Sequence, residues 1–468
     1  MAKPSSRRHS PGVQVRKRPP ARLAGTADKS KQNERAMSER IETGLAFNDA
    51  SNDVGATRLE RTNANAVCSV RFELHWHSEY ASHSDCWAAR GLDVRRDLLP
   101  PALEPEIMDK PVGHRVSHCF AAGELIEPYQ AHRLLALRPA QFNRHFTRRG
   151  LIQPRSGRFY PRGVLNGVPG VVDADRTPFR LAETAEDLLL ADLNHPLADR
   201  PLALALTIKD ISTGGDQRGP GCNEVLELVT ANGPGMQARW RGLPTDFWSD
   251  LPFARVDARP DTCFYSEPRL VDHVDRTAIA EITALYGRLI PVGSRILDLM
   301  TSWHSHLPAS LAPRAVTGLG MNRAELDANP MLTERVVHDL NANARLPFPD
   351  ASFDAIVCTV SVEYLIRPFE VFRELVRVLM PSGLLIVTFS NRWFPPKAIQ
   401  IWQGIHEFER LGLVLEYFLE SGRFDDLNTW SLRGLPRPAD DKYADRLWLS
   451  DPVYAVWGRR RAEADVRS

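Results

Sequence analysis

No run of apolar residues in this 468-residue chain approaches the roughly 20 needed to cross a bilayer as a helix, which argues against a membrane protein. There is no surplus of either charge: 59 Lys and Arg stand against 58 Asp and Glu, a formal net charge of +1. So balanced a chain has no global electrostatic pull toward nucleic acid or an acidic membrane, and neither is expected as a partner. Cysteine is scarce. The six (Cys68, Cys86, Cys119, Cys222, Cys263 and Cys358) show no Cys-x-x-Cys spacing, which argues against a zinc ribbon, and they are too sparse for a disulfide scaffold. A reducing, cytoplasmic compartment is the simple reading. The basic, Pro- and Ser-rich beginning lacks the apolar segment of a secretory signal, and Asp28, Glu34 and Glu39 weaken an organelle presequence. Residues 1–65 read as a disordered basic tail, with Met37 an alternative start.

The remainder is ordinary for a soluble globular protein, 43% hydrophobic and 25% charged, and long enough for two or three domains. VRFELHW alternates Phe72, Leu74 and Trp76 against Glu73, His75 and His77, the period-two pattern of a half-buried strand. His75 and His77 share one face and so could share a metal, but a solvated strand face explains them better. A helical stretch is expected around Gln141 to Arg149, and Asn166-Gly167 signals a tight turn. Leu202, Leu204, Leu206 and Ile208 alternate with small or polar residues as one buried strand face. Residues 213–271 form a Gly- and Pro-punctuated connector whose Trp240, Phe247 and Trp248 should drape it over its neighbours.

From Asp272 onward helices and strands alternate. Ala278 to Leu289 reads as a helix, RILDLM, AVTGLGM, RVVHDL and FDAIVCTVS as strands, PFEVFRELVRVLM as an amphipathic helix, and GLLIVTFS and PVYAVWG as later strands. Short β-branched runs between helices predict an α/β Rossmann-like domain, its mostly parallel sheet covered on both faces.

The run LPFPDASFDAIVCTVSVEYL with PFEVFRELVRVLMPSGLLIVTFSN resembles class I S-adenosylmethionine-dependent methyltransferases of the type 11 kind. In that family an acidic-x-Gly-x-Gly-x-Gly loop follows the first strand. Here Asp298 keeps the acidic place, while Met300, Ser302 and His304 stand where the glycines belong. The second strand ends in Gly320 instead of the family's ribose-binding carboxylate, with Asn322 the nearest replacement. Asp339 fits the third-strand Asp that meets the adenine amino group. The resemblance implies S-adenosylmethionine as cofactor, with Asp298, Met300, Ser302, Trp303, Gly320, Asn322, Asp339 and Tyr364 around it. Trp303 or Tyr364 would offer a π-face to the sulfonium. His304, His306 and Glu363 are the candidate catalytic groups, the histidines because their ordinary pKa lies nearest neutrality. In the alternative reading the site is vestigial, and Met300 and Trp303 fill the cofactor space as core.

Asn194-His195-Pro196-Leu197-Ala198, followed by the strand LALALTIKDI, resembles the last segment of FKBP-type peptidyl-prolyl isomerases of the SlyD-like branch. An aromatic of that branch's last strand is replaced by Leu204. The resemblance implies a β-rich α+β FKBP-like domain over residues 66–212, then the connector 213–271 and a methyltransferase-like domain over residues 272–460. The function expected is methyl transfer from S-adenosylmethionine to an unidentified acceptor, a small molecule or a protein. A non-catalytic chaperone- or isomerase-like interaction protein is the alternative.

Overall fold

The computed structural model describes residues 57–146, 150–213 and 224–462, all within one compact unit that spans Asp49–Ser468. Residues 57–65, expected as tail, are docked: Arg58 bridges to Ser212 in β fashion, and buried Thr62 donates its hydroxyl to the Ile107 carbonyl. The expected tail up to residue 56, and Cys222, lie outside the described residues.

The VRFELHW alternation is the inner part of β1 (Ala66–His77), whose residues are buried at every second position. β1 pairs antiparallel with β2 (Ser82–Asp93) on one side. On its other side lies β8 (Leu202–Thr213), flanked in turn by β3 (Arg115–Phe120). A smaller antiparallel sheet holds β4 (Leu134–Leu137), β5 (Phe159–Pro161), β6 (Pro178–Thr184) and β7 (Leu189–Asp192), in the order β4-β7-β6-β5. The helix expected near Gln141 is absent from the described part of that stretch. Residues Pro139–Gln141 form one 3-10 turn, after which Phe142 is drawn into a bridge with Leu165 and buried. Tertiary pairing overrides the local pattern there.

The second half delivers the alternation read from the sequence. α1 (Arg276–Leu289) starts at Asp275, whose carboxylate caps the Ala278 amide, and it buries Ala278, Ile282, Leu285 and Tyr286 along one stripe. β9 (Arg295–Leu299), β10 (Ala315–Gly320), α2 (Arg323–Ala328), β11 (Glu334–Val337) and β12 (Phe353–Thr359) follow. Next come α3 (Pro368–Val378), β13 (Leu379–Phe389), α4 (Glu407–Ser421), β14 (Phe424–Arg433) and β15 (Val453–Arg460). Where the chain turns from α3 into β13, the left-handed residue is Ser382 (φ 62°), not Gly383. Gly383 serves close approach, since a Cβ there would lie 2.8 Å from the Met380 carbonyl oxygen.

The strand order is β11-β10-β9-β12-β13-β15-β14-β2-β1-β8-β3, a single mixed sheet of 11 strands. From β11 to β13 all pairings are parallel, and β15 enters antiparallel. β14 then pairs parallel with β2, Asn428 opposite Ser82 through Arg433 opposite Trp87. The strands expected as a separate N-terminal domain thus continue the sheet of the C-terminal one. A buried network seals the join: Asp85 accepts from Trp76, Gln237 and Ser431, and His83 stacks on Trp76 with ring centroids 3.8 Å apart. Apolar layers cover both faces of the parallel part. Leu297, Ile356, Leu385 and Val387 pack under α3 and α4, while Ile296, Val316, Val357 and Ile386 pack under α1.

Candidate functional site

The chain leaves β9 for β10 on one side and later returns to place β12 on the other. Between β9 and β12 the connections therefore diverge, and such a switch point opens a crevice beyond the carboxyl ends of the strands. The two loops bounding it are Met300–His306 and Val360–Tyr364, tied together by the Ser361 hydroxyl donating to the Met300 carbonyl (3.3 Å).

Asp298 ends β9 inside the protein, 2% exposed, accepting a hydrogen bond from Thr301 Oγ1 (2.7 Å). Burial pushes its carboxyl up to about 7, against partial relief from the Ser305 and Thr301 hydroxyls. Met300 adopts φ 56°, a conformation that glycine takes without cost. Met300 takes that turn with a side chain attached and lies half-buried against the core. Ser302 donates to Glu325 (2.7 Å), and Asn329 donates to the Ser302 carbonyl and the Ser305 hydroxyl, each at 2.9 Å. Gly320 lies directly beneath this loop: a Cβ there would stand 2.3 Å from the Thr301 carbonyl oxygen.

Asn322 is not free to replace a ribose-binding carboxylate. Its Oδ1 caps the Ala324 and Glu325 amides of α2, and its Nδ2 donates to the Tyr265 and Ser266 carbonyls. Asp339 Oδ1 accepts from the Asn341 and Ala342 amides, which closes the turn after β11. Asn341 reaches from that turn to Asp261 Oδ2 (2.7 Å) and to the Tyr364 carbonyl (2.9 Å). The connector is therefore laced across this edge. It is held there by Lys397, wholly buried, whose Nζ lies 3.0 Å from Asp261 Oδ1 and 2.8 Å from the Arg259 carbonyl oxygen. Further along, Phe247 is buried and Trp248 packs on Phe369 and Tyr417, as the aromatics of the connector led one to expect.

The rings of Trp303, His304 and His306 meet in sequence at tilted angles, with centroids 5.5 and 4.3 Å apart, and exposed His304 faces Asp272 at 3.2 Å. His306 has φ 52°, and its Nδ1 is buried without a partner. Burial, with the His304 ring adding to it, pushes its imidazole down to about 4, so it is neutral at pH 7. Tyr364 is turned inward, its hydroxyl accepting from the Phe394 amide while the two rings stack at 6.0 Å. Trp303 is half-buried.

Glu363 differs from all of these. It is 1% exposed, and neither carboxyl oxygen completes a hydrogen bond. Burial pushes it up to about 8, although its own amide and Tyr364 stand close enough to favour the charged form somewhat. Arg410 is a cation whose field reaches it, but its guanidinium lies over Trp393 (4.2 Å) and donates to the Trp402 carbonyl. At the end of β13, Asn391 Oδ1 is likewise buried and unpartnered. The carboxyl edge of the sheet thus holds three orphaned polar groups: Glu363, Asn391 Oδ1 and His306 Nδ1. Orphans of this kind are costly and mark ligand sites when they cluster. Sequence reasoning placed Ser390, Asn391 and Arg392 on this face but missed Asn341, Glu325, Arg410 and Lys397. Lys397 lies in the segment FSNRWFPPKAI, where a lysine among apolar residues was the available signal.

No group of His, Cys, Asp and Glu capable of holding a metal occurs among the described residues, and His75 and His77 bond instead to Ser84 and Ser82.

The parallel strands β11 to β13 with this switch point form a Rossmann-like α/β arrangement, of the kind that places ligands beyond the carboxyl ends of its strands. Residues 303–387 match the family described as Methyltransferase domain. Malonyl-[acyl-carrier protein] O-methyltransferase of Marinomonas sp. (strain MWYL1) is 22% identical over 122 residues, 26% of this chain and 43% of that protein. Ubiquinone/menaquinone biosynthesis C-methyltransferase UbiE of Laribacter hongkongensis (strain HLHK9) is 32% identical over 71 residues, 15% of this chain and 28% of that protein. The chain thus spans less than half the length of these curated relatives. A solved S-adenosylmethionine-dependent methyltransferase of Thermotoga maritima, described as a possible histamine N-methyltransferase, covers 39% of this chain over 89% of its own, at 14% identity and a TM-score of 0.30. The C-terminal part of the chain is a class I S-adenosylmethionine-dependent methyltransferase domain, and the family implies S-adenosylmethionine as the cofactor.

The residues fit the cationic end of that cofactor. Two buried carboxyls, Asp298 and Glu363, flank the switch point, and a sulfonium with its α-ammonium would supply the positive charge that both lack. At the ribose end Gly320 brings no carboxylate, and Asn322 is already engaged.

Proposed function

We propose that the chain is an S-adenosylmethionine-dependent methyltransferase acting on an unidentified small-molecule or protein acceptor. The observation that carries this reading is Glu363, a carboxyl wholly buried at the switch point with both oxygens unpartnered. A vestigial site would have replaced such a group with an apolar residue, because it stabilises nothing in the absence of a ligand. Asp298 and Glu363 would hold the cofactor's positive charges, with Tyr364 and Trp303 contributing ring surface. The cofactor, when bound, supplies an electrophilic methyl group. With Glu363 committed to the cofactor's charge, the proton that the acceptor releases would go to a histidine of the Met300–His306 loop. Exposed His304, paired with Asp272, would take that proton and pass it to solvent, while neutral His306 would orient the His304 ring.

For the N-terminal strands the FKBP likeness rests on Asn194–Ala198, and we propose a scaffold role without isomerase activity, since Leu204 is wholly buried and offers no wall to a cleft. No helix among the described residues is long and apolar enough to cross a membrane, and we keep the cytoplasm as the proposed compartment.

The test is calorimetric titration with S-adenosylmethionine and its demethylated product, S-adenosylhomocysteine. Both should bind, and Glu363→Gln should weaken the charged ligand more than the neutral one. Absence of binding at millimolar ligand, with the protein folded, overturns the reading.

A further inference from the structure

Away from the switch point, a small second cleft of about 30 Å³ lies between the small sheet and the segment Gly235–Arg241. Arg180 of β6 lies on its floor, 6% exposed, with its guanidinium carbon 4.4 Å above the Phe159 ring. Of its five donors, Nη2 reaches the Gly235 carbonyl (3.2 Å). Three carboxylates lie near enough for their fields to reach it: exposed Asp199, which lines the cleft but makes no ion pair with Arg180, and Asp192 and Glu409, which are engaged by other donors. Asp192 accepts from the Asn194 amide and side chain and from Trp240 Nε1. Glu409 accepts from Arg158, from the Phe159 amide and from the His406 amide. No ion pair within 4.0 Å joins Arg180 to any carboxylate among the described residues.

A second feature of the same cleft is independent of the first. Tyr129 Oη, which lines it, is buried and has no hydrogen-bond partner. The Tyr129 ring stands 5.2 Å from Arg241, whose guanidinium also lies 4.8 Å from the Trp240 ring at the rim. Arg241 is held at φ 48°, a left-handed backbone unusual for a long side chain and of the kind found at ligand clamps. A buried guanidinium with donors to give, an orphaned hydroxyl and a second guanidinium at the entrance all call for the same partner chemistry. That chemistry is a planar or tetrahedral group of negatively charged oxygens.

We propose that this cleft is a binding site for an oxyanion, a carboxylate or phosphate borne by a small ligand, with Arg180 and Tyr129 holding it and Arg241 closing over it. The site is separate from the proposed methyl-transfer site and does not depend on that reading.

The experiment is titration of the full chain with inorganic phosphate and, separately, with succinate, at constant ionic strength set by chloride, followed by calorimetry and thermal shift. One or both anions should bind and raise the melting temperature with concentration. If phosphate alone does so, the ligand is a phosphate ester, and if succinate alone does so, a carboxylate. Tyr129→Phe removes a single oxygen and should weaken the binding anion about tenfold, the value of a charge-assisted hydrogen bond. Arg180→Met should abolish binding. Arg241→Ala lies at the surface, where folding is not at stake, and should weaken binding several-fold, so the claim stays testable if the Arg180 variant fails to fold. No binding of either anion to the unaltered protein, or binding that none of the three variants changes, overturns the proposal.

Discussion

Glu363→Gln exchanges the orphaned carboxyl for a neutral group of the same shape, and the structure sets both the sign and the size of its effect. In the unfolded chain the carboxyl titrates near its ordinary value of 4.5, whereas burial raises it to about 8 in the folded protein. Between these two values the folded state holds a proton that the unfolded state has lost. Stability therefore falls as pH rises through the window, and the loss is complete above the folded value. At about 1.4 kcal/mol per pKa unit, the destabilisation at pH 8.5 is on the order of 4 kcal/mol for this one group. Glutamine carries no charge at any pH and so escapes it. Urea denaturation of the two proteins should give similar stabilities near pH 4.5. The variant should then gain steadily, and be several kcal/mol more stable at pH 8.5. Asp298, raised from 3.8 to about 7, bends both curves in the same direction and leaves their difference unaffected. A variant no more stable than the parent at pH 8.5 would show that Glu363 finds a partner in the folded protein, and the argument for a ligand-seeking carboxyl would fall.

Gly320→Ala should cost about 1–3 kcal/mol, read from the denaturant midpoint, because its Cβ would meet the Thr301 carbonyl oxygen at 2.3 Å and the loop cannot withdraw without losing its bond to Leu319. Lys397→Met should destabilise by roughly 3 kcal/mol by breaking a buried pair with Asp261, and limited proteolysis should then cut the connector near Arg259 faster than in the parent. Trp303→Ala should cost less than the roughly 3–5 kcal/mol of a fully buried aromatic, since Trp303 is half-buried, while weakening S-adenosylhomocysteine in calorimetry; a core-sized loss with unchanged affinity would make it filler. The protein should not accelerate a proline-limited refolding reaction, and a robust acceleration by the full chain would restore the isomerase reading.

The parts of the fold that were legible share one property: their pattern is local. β9, β10, β12 and β13 are continuous apolar runs bounded by turns, and α3 carries its apolar residues along one stripe, so period and length identify each. α4 escaped because it is buried on almost every side, Phe408 through Phe418, and lacks the polar stripe that marks a surface helix. The pairing of β14 with β2 joins positions some 346 residues apart, and nothing in either segment announces the other. At the site, residue types were readable and states were not. Asp298 and Glu363 stand out by position, but that one is solvated by hydroxyls and the other is orphaned depends on what packs around them. Asn322 was a fair candidate by chemistry, and the connector that engages it lies more than fifty residues earlier in the chain.

The altered glycine loop takes on a different meaning once Met300 and Gly320 are considered together. A glycine loop serves two needs: a left-handed turn, and an approach too close for a Cβ. Here Met300 meets the first by accepting φ 56°, at the cost that a non-glycine residue carries there. The second is met from the opposite side, because Gly320 on β10 gives up its own Cβ so that the Thr301 carbonyl can lie against the strand. A carboxylate at position 320 would collide with that carbonyl, so in this packing a loop set this close to β10 and a second-strand carboxylate exclude each other. The loop so packed leaves the buried carboxyls Asp298 and Glu363 beside it, and those are the groups that the proposed cofactor-binding reading needs.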